Sequence, residues 1–188
     1  MRFFGRNPKK KGSPSRNGQP LEYHMTRDVM WLLQYRSFGH LNNGFMNEDR
    51  MAHSDFLITA DVNGVTGGLI IAEKPWGNMG AFWQSRVTNP LQIGGLYVVK
   101  DWSRTSAATT LAEMAAIQAA KLGATPVALT ETRSAASKYL AHAKARRGRR
   151  VTMGRHDLTP WDLSPMVDPA IIARGRQLAL QEQRPSSY

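Results

Sequence analysis

LYVVKDWSRTSAATTL, residues Leu96 to Leu111, decides how this chain folds. Leu96, Tyr97, Val98 and Val99 favour an extended strand, a short polar bend follows, and the Ala-rich run from Thr105 opens a long helix. A strand that hands small and hydroxyl-bearing residues to a helix N-terminus brings unspent backbone N–H groups together with the positive end of the helix dipole. Folds often seat a phosphate at such a place. An ordinary strand-to-helix connection has the same outline, so the flanking sequence has to arbitrate.

Downstream, TSAATTLAEMAAIQAAKL (Thr105 to Leu122) reads as one helix with Gly123 placed to end it, and Leu111, Met114, Ile117 and Leu122 lie near one stripe. TPVALTET is then a buried strand, RSAASKYLAHAKARR a second helix and RVTMG a last strand. From Thr159 the pattern is a Pro-punctuated extension with one helix, Pro169 to Gln183, whose apolar face uses Ile171, Ile172, Leu178 and Leu180. Upstream, LQIGGLYVV is a strand interrupted at Gly94-Gly95, a bulge or a close backbone approach. Trp76 to Pro90 reads as a loop or irregular extension with room for a short strand at Ala81 to Val87. The clearest local signal is DFLITADVNGVTGGLIIAE (Asp55 to Glu73), two β-rich runs about Asn63-Gly64 that predict a hairpin. Leu21 to Thr26 is a short strand, and Asp28 begins an amphipathic helix with Val29, Leu32 and Leu33 on its core side.

The chain has 188 residues, 41% of them hydrophobic, which suits one core with tails. No apolar run approaches the ~18 residues of a membrane span. The N-terminus lacks the apolar segment of a secretory signal, and the absence of Cys excludes a disulfide framework. These features predict an intracellular, cytoplasmic protein with no membrane partner. The 25 Lys and Arg against 14 Asp and Glu give a net charge of +11, which favours polyanion contact. Residues 1–19 read as a disordered basic tail carrying Arg2, Arg6, Lys9, Lys10, Lys11 and Arg16. KARRGRR, Lys144 to Arg150, is a second cluster. Residues 20–157 then form the domain and 158–188 the extension.

The order strand, helix, hairpin, strand, long helix, strand, helix, strand, with the residues at its centre, resembles the GNAT acyltransferase superfamily. The resemblance implies an α/β (α+β) fold: a mixed, mostly antiparallel central sheet with a splayed strand pair and flanking helices. In that family the fourth strand ends in an LYV-type segment, followed by Gln/Arg-x-x-Gly-x-Gly/Ala at the start of a long helix. Here Leu96, Tyr97 and Val98 take the strand end, Ser103 the Gln/Arg position, Ser106 and Ala108 the two small positions, and Leu111 the apolar residue one turn on. Downstream, TRSAASKYLAHAK is similar to the family's Asn-x-x-Ala-x-x-x-Tyr-x-x-x-Gly-Phe stretch. Thr132 falls at the Asn, Ala135 at the Ala and Tyr139 at the Tyr, while Ala143 and Lys144 replace Gly-Phe.

The resemblance implies acetyl-CoA as cofactor, held by Tyr97, Val98, Val99, Ser103, Arg104, Thr105, Ser106, Ala107 and Ala108. It also implies transfer of the acetyl group to an amine acceptor. Tyr139 takes the role of protonating the departing thiolate, and the backbone N–H of Val98 polarises the carbonyl. For the base, Glu73 at the end of the third strand is the best-placed carboxylate, with Asp55 and His53 behind it. The chain departs from the pattern where it lacks the loop glycines. A Cβ at Ser106 and Ala108 obstructs close phosphate approach, although Arg104 and the hydroxyls of Ser103, Thr105 and Ser106 add donors.

His24, His40, His53, His142 and His156 show no metal-ligand spacing, and no Walker loop, GxGxxG or GxSxG is present. Two readings follow. One is an acetyl-CoA-dependent N-acyltransferase with a degenerate phosphate loop. The alternative is a non-catalytic protein of the same fold that acts as a nucleic-acid-associated or structural component, of the kind found in a phage virion. There the basic tail and Lys144 to Arg150 would meet nucleic acid, and the C-terminal helix would meet a protein partner or a second copy.

Overall fold

The computed structural model describes residues 20–28, 53–99, 102 and 106–182. The tail, the helix expected after Asp28, and Ser103, Arg104 and Thr105 lie outside them. The described residues form eight strands and four α-helices in two compact units, one made of residues 20–28, 53–73, 95–99, 102 and 106–112 and the other of 74–94 and 113–182.

In the first unit, β1 (Glu22–Thr26) pairs antiparallel with β2 (Ser54–Val62), which pairs antiparallel with β3 (Val65–Glu73). Asn63 and Gly64 connect β2 to β3 with φ of 50° and 77°. Both central residues of the turn therefore lie in the left-handed region, the geometry for which Asn-Gly is chosen. Phe56 to Ala60 and Leu69 to Ala72 are almost fully buried, a continuous run rather than an alternation, as in strands covered on both faces. The register slips between Ala60 and Asp61, leaving Gly67 without a partner on β2. β4 (Pro90–Val98) lies beside β3 and bends at Gly95, whose φ is 60°. The first turns of α2 (Ala107–Lys121) complete the unit.

The second unit holds the first half of β4, which pairs in parallel with β5 (Thr125–Glu131) over Pro90 to Gln92. β5 pairs antiparallel with β8 (His156–Asp162), and β8 carries both β6 (Arg146–Arg147) and β7 (Val151–Met153). The fold is thus mixed α/β and mostly antiparallel, as the order of elements implied. Trp83, Leu91, Val127, Leu140, Trp161 and Leu163 are buried here.

Five expectations need correction. Residues 77–84 are not loop or strand but a helix, α1 (Gly77–Gln84), despite two glycines and poor propensity. It is fixed from outside its own sequence: Trp83 is buried and donates to Gln92 Oε1 at 2.8 Å, and the Arg86 guanidinium donates to the Phe82 carbonyl at 2.7 Å. The helix after β5, α3 (Ala135–His142), stops short of KARR because Lys144 adopts φ 65° and the chain leaves to pair with β8. Residues 156–162, partly assigned to the extension, form the inner strand β8, so the boundary placed at 157/158 falls inside a strand. Pro160 in its middle has no N–H to give the ladder, but its carbonyl accepts from Gly148 N–H at 2.8 Å.

The other two concern helix faces. The core side of α2 is Leu111 with Ala107, Ala112, Ala115, Ala116, Ala119 and Ala120, while Met114 and Ile117 flank it. In α4 (Pro169–Glu182) the buried residue is Gly175, and Leu178 and Leu180 are exposed. A Cβ on Gly175 would fall on the Ala120 carbonyl oxygen, so α4 meets the end of α2 through backbone, which turns the leucines off the contact.

Candidate active site

The junction between β4 and α2 is built from both sides. Val99 N–H donates to the Gly67 carbonyl at 2.8 Å, and Trp102 N–H turns back to the Val99 carbonyl at 2.9 Å. The Trp102 indole then lies over Gly67, where a Cβ would come within 2.6 Å of three ring atoms. The bulge that leaves Gly67 unpaired on β2 therefore gives the Trp102 indole its seat. Next to it, the Leu111 side chain packs on Gly68, where a Cβ would stand 3.2 Å from Leu111 Cδ1. Trp102 and Leu111 so fix where β4 ends and where α2 begins.

At that start, the Ser106 carbonyl accepts from Thr110 N–H at 2.9 Å and from the Thr109 hydroxyl at 2.8 Å. Ala107 is fully buried, Ala108 half-buried and Ser106 exposed. The first turn carries no acidic residue, so nothing on the helix itself neutralises its positive end. The Tyr23 hydroxyl of β1 is hydrogen-bonded to Thr110, and burial pushes its pKa up. Sequence reasoning missed that tie, which links residues far apart in the chain.

Of the site residues chosen from sequence, the first unit gathers Tyr97, Val98, Val99, Ser106, Ala107 and Ala108 along this one junction. The Val99 N–H is committed to Gly67. Glu73 is elsewhere: it closes β3 opposite Ser54, is 5% exposed, and stands about 20 Å along the strand from Gly67. Asp55 is held by the Arg27 guanidinium at 2.6 Å.

In the second unit, Tyr139 on α3 is half-buried and its hydroxyl donates to Glu113 Oε1 at 3.5 Å. Burial first, and then the Glu113 carboxylate, push its pKa up to about 12. The phenol stays protonated at neutral pH and acts as a hydrogen-bond donor. Ser134 caps α3 by accepting from Ser137 N–H at 3.1 Å. Thr132, at the family's Asn position, ties β5 to β8: its N–H reaches the Asp157 carbonyl at 3.0 Å and its hydroxyl pairs with that of buried Thr159 at 3.0 Å. Glu113 carried no sequence signal. Among the described residues no group of three His, Cys, Asp or Glu is arranged to hold a metal, and no helix is long and apolar enough to cross a membrane.

Strand order, the parallel contact limited to three residue pairs and the strand-to-helix junction define the GNAT fold, and solved structures agree. A Salmonella typhimurium protein provisionally classed as an acetyltransferase and solved with its cofactor acetyl-CoA matches with a TM-score of 0.54 at 17% identity, over 75% of this chain and 91% of that one. A GNAT-family protein from Desulfovibrio desulfuricans gives 0.55 at 8% identity, over 76% and 97%. An N-acetyltransferase from Staphylococcus aureus gives 0.54 at 15% identity, over 77% and 99%. No family model matches the sequence, and the search of curated proteins gave no match. At these identities the likeness shows the fold.

Proposed function

We propose that this chain is an N-acyltransferase that moves the acetyl group of acetyl-CoA to an amine. The observation that carries the reading is the β4–α2 junction: a strand end seated on Gly67 and a helix start with small residues and no acidic side chain. The acetyl-CoA bound to the Salmonella neighbour and the N-acetyltransferase activity named for the Staphylococcus one support it. In this reading the pyrophosphate lies over the start of α2, along Ser106, Ala107 and Ala108, at the positive end of the helix. Tyr97 and Val98 supply backbone to the thioester, and Ser103, Arg104 and Thr105 add side-chain donors.

The reaction forms a C–N bond and breaks a C–S bond. The amine nitrogen attacks the thioester carbonyl, the tetrahedral intermediate expels thiolate, and the proton shed by nitrogen balances the thiol produced. A phenol with a pKa of about 12 is a weaker acid than a thiol of ordinary pKa, ~8.5. In this reading the Tyr139 O–H turns from Glu113 to the departing sulfur and stabilises it with its one donated hydrogen bond, and the proton originates on the amine. Glu73 stands too far along β3 to touch an amine at Val98, so any part it plays runs through water.

The test is calorimetric titration with acetyl-CoA, followed by turnover against polyamines, aminoglycosides and peptide amines. Tyr139→Phe should bind the cofactor as wild type does and turn over about 10- to 100-fold more slowly, the worth of one hydrogen bond to a charged group. Ala108→Glu should abolish binding by steric block and by negative charge added beside bound pyrophosphate. Absence of any heat with millimolar acetyl-CoA would overturn the reading.

A further inference from the structure

The segment Lys144 to Asp157, KARRGRRVTMGRHD, contains none of the residues to which the proposed acetyl transfer is assigned. It lies along the outer side of β8, with β6 pairing Arg146 to Asp162 and Arg147 to Trp161, and β7 pairing Val151 to Leu158. Gly148 bridges the two strands. Its N–H donates to the Pro160 carbonyl at 2.8 Å, and a Cβ there would stand 3.0 Å from the Pro160 ring. Gly154, at φ 58°, turns the chain from β7 into β8. The backbone of this basic run is thus pinned to the sheet and presents its side chains from a fixed line.

Lys144, Arg146, Arg147, Arg149, Arg150 and Arg155 are all exposed. Arg146 approaches Asp162 at 3.6 Å; the other five have no ion-pair partner among the described residues. Within the segment the only carboxylate is Asp157, which accepts from the Thr152 hydroxyl at 3.1 Å. A merely solubilising surface mixes signs, because unbalanced like charges repel one another. In this segment six cations stand against one carboxylate.

We infer that the β6–β7 edge is a docking surface for the phosphodiester backbone of nucleic acid, bound without regard to sequence. Five of the six cations are arginine, whose planar guanidinium meets phosphate oxygens two at a time. None of the large exposed apolar side chains falls in this segment, whereas a membrane surface needs apolar side chains to insert and a protein partner needs an apolar or aromatic anchor. A sugar–phosphate chain needs neither.

The experiment uses the full-length chain and fluorescence anisotropy with labelled single-stranded and duplex oligonucleotides across a salt series. Arg149→Glu/Arg150→Glu, Arg149→Ala/Arg150→Ala and the charge-matched control Arg174→Glu/Arg176→Glu on α4 are compared, each first checked for an unchanged melting temperature. The edge reversal should weaken binding at least about 10-fold, and the alanine pair should lower the log–log salt slope by roughly 1.4 to 1.8, two contacts' worth. Equal losses in the α4 control would mean that net charge alone acts, and the inference would fall. It would also fall if the edge variants bind as wild type, or if the wild type prefers phosphatidylserine vesicles or a poly-glutamate peptide to oligonucleotide at equal charge.

Discussion

The two ends of α2 are both packed to backbone contact, but by opposite means. At its N-terminal end the glycines belong to a strand: Gly67 and Gly68 clear space on β3 for the side chains of Trp102 and Leu111. At its C-terminal end they belong to helix and cap. Gly123, at φ 73°, ends the helix with its N–H on the Ala120 carbonyl, followed by Ala124 N–H on Ala119, and Gly175 brings α4 onto that same turn. The strand glycines make room for side chains, which can move. The helix glycines make room for main chain and, at Gly123, for the Ala179 methyl fixed to it, neither of which can move. The end that can yield is the end where the cofactor is proposed to bind, and the unyielding end anchors the helix.

The sharpest test of that contrast is Gly175→Ala. Alanine improves helix propensity by ~0.8–1.0 kcal/mol, yet its methyl would coincide with the Ala120 carbonyl. We expect a net loss of about 3 kcal/mol or more, seen as a melting temperature lowered by roughly 6–12 °C. A neutral result would mean that α4 slides freely and that the two ends do not differ.

Gly67→Ala should come next. Its methyl meets the Trp102 ring, which can tilt away, so the expected cost is about 1–2 kcal/mol. The displaced indole should weaken acetyl-CoA binding more than stability, since Trp102 packs beside the end of β4 where the cofactor is proposed to bind. Gly68→Ala is the companion. A 3.2 Å contact with the tip of Leu111 is relieved by a small rotation, and the reduced freedom of the unfolded chain offsets the rest, leaving a change below about 1 kcal/mol. Equal costs at both positions in denaturant titrations would break the argument that Gly67 gives the Trp102 indole its seat.

What the sequence showed and what it hid follow the same division. Asn63-Gly64 and Gly123 were legible because each answers a local demand for positive φ, and the strand-to-helix run at Leu96 to Leu111 because it is continuous. α1 was hidden because its ties run to residues outside it: Gln92 accepts from its Trp83, and Arg86 donates to its Phe82 carbonyl. β8 was hidden by Pro160, whose missing N–H costs little where its carbonyl already serves Gly148. The leucines of α4 misled because periodicity counts large apolar residues, and a contact made through Gly175 leaves no such mark. Tyr139 was singled out by its motif, whereas its hydrogen-bond partner Glu113 carried no such mark, being brought to it only by the packing of α3 and α2.

The smallest expected effect concerns that pair, at the middle of α2. Tyr139 titrates near 10 in an unfolded chain and near 12 in the folded one, so between those values the unfolded state has lost a proton that the folded state keeps. The folded state is then disfavoured as pH rises: Tyr139's contribution is fully present below pH 10 and is lost progressively up to about pH 12. Half-exposure of the hydroxyl keeps the effect small. Glu113→Gln removes the carboxylate charge, so phenolate absorbance should show Tyr139 titrating closer to 10, and the decline in urea midpoint across that window should be shallower than in wild type. Tyr139→Phe should remove this group's share of the decline altogether. Burial is the larger cause of the shift, so Glu113→Gln should recover only part of it. Full recovery would make the carboxylate, rather than the packing of α3, the main influence on Tyr139.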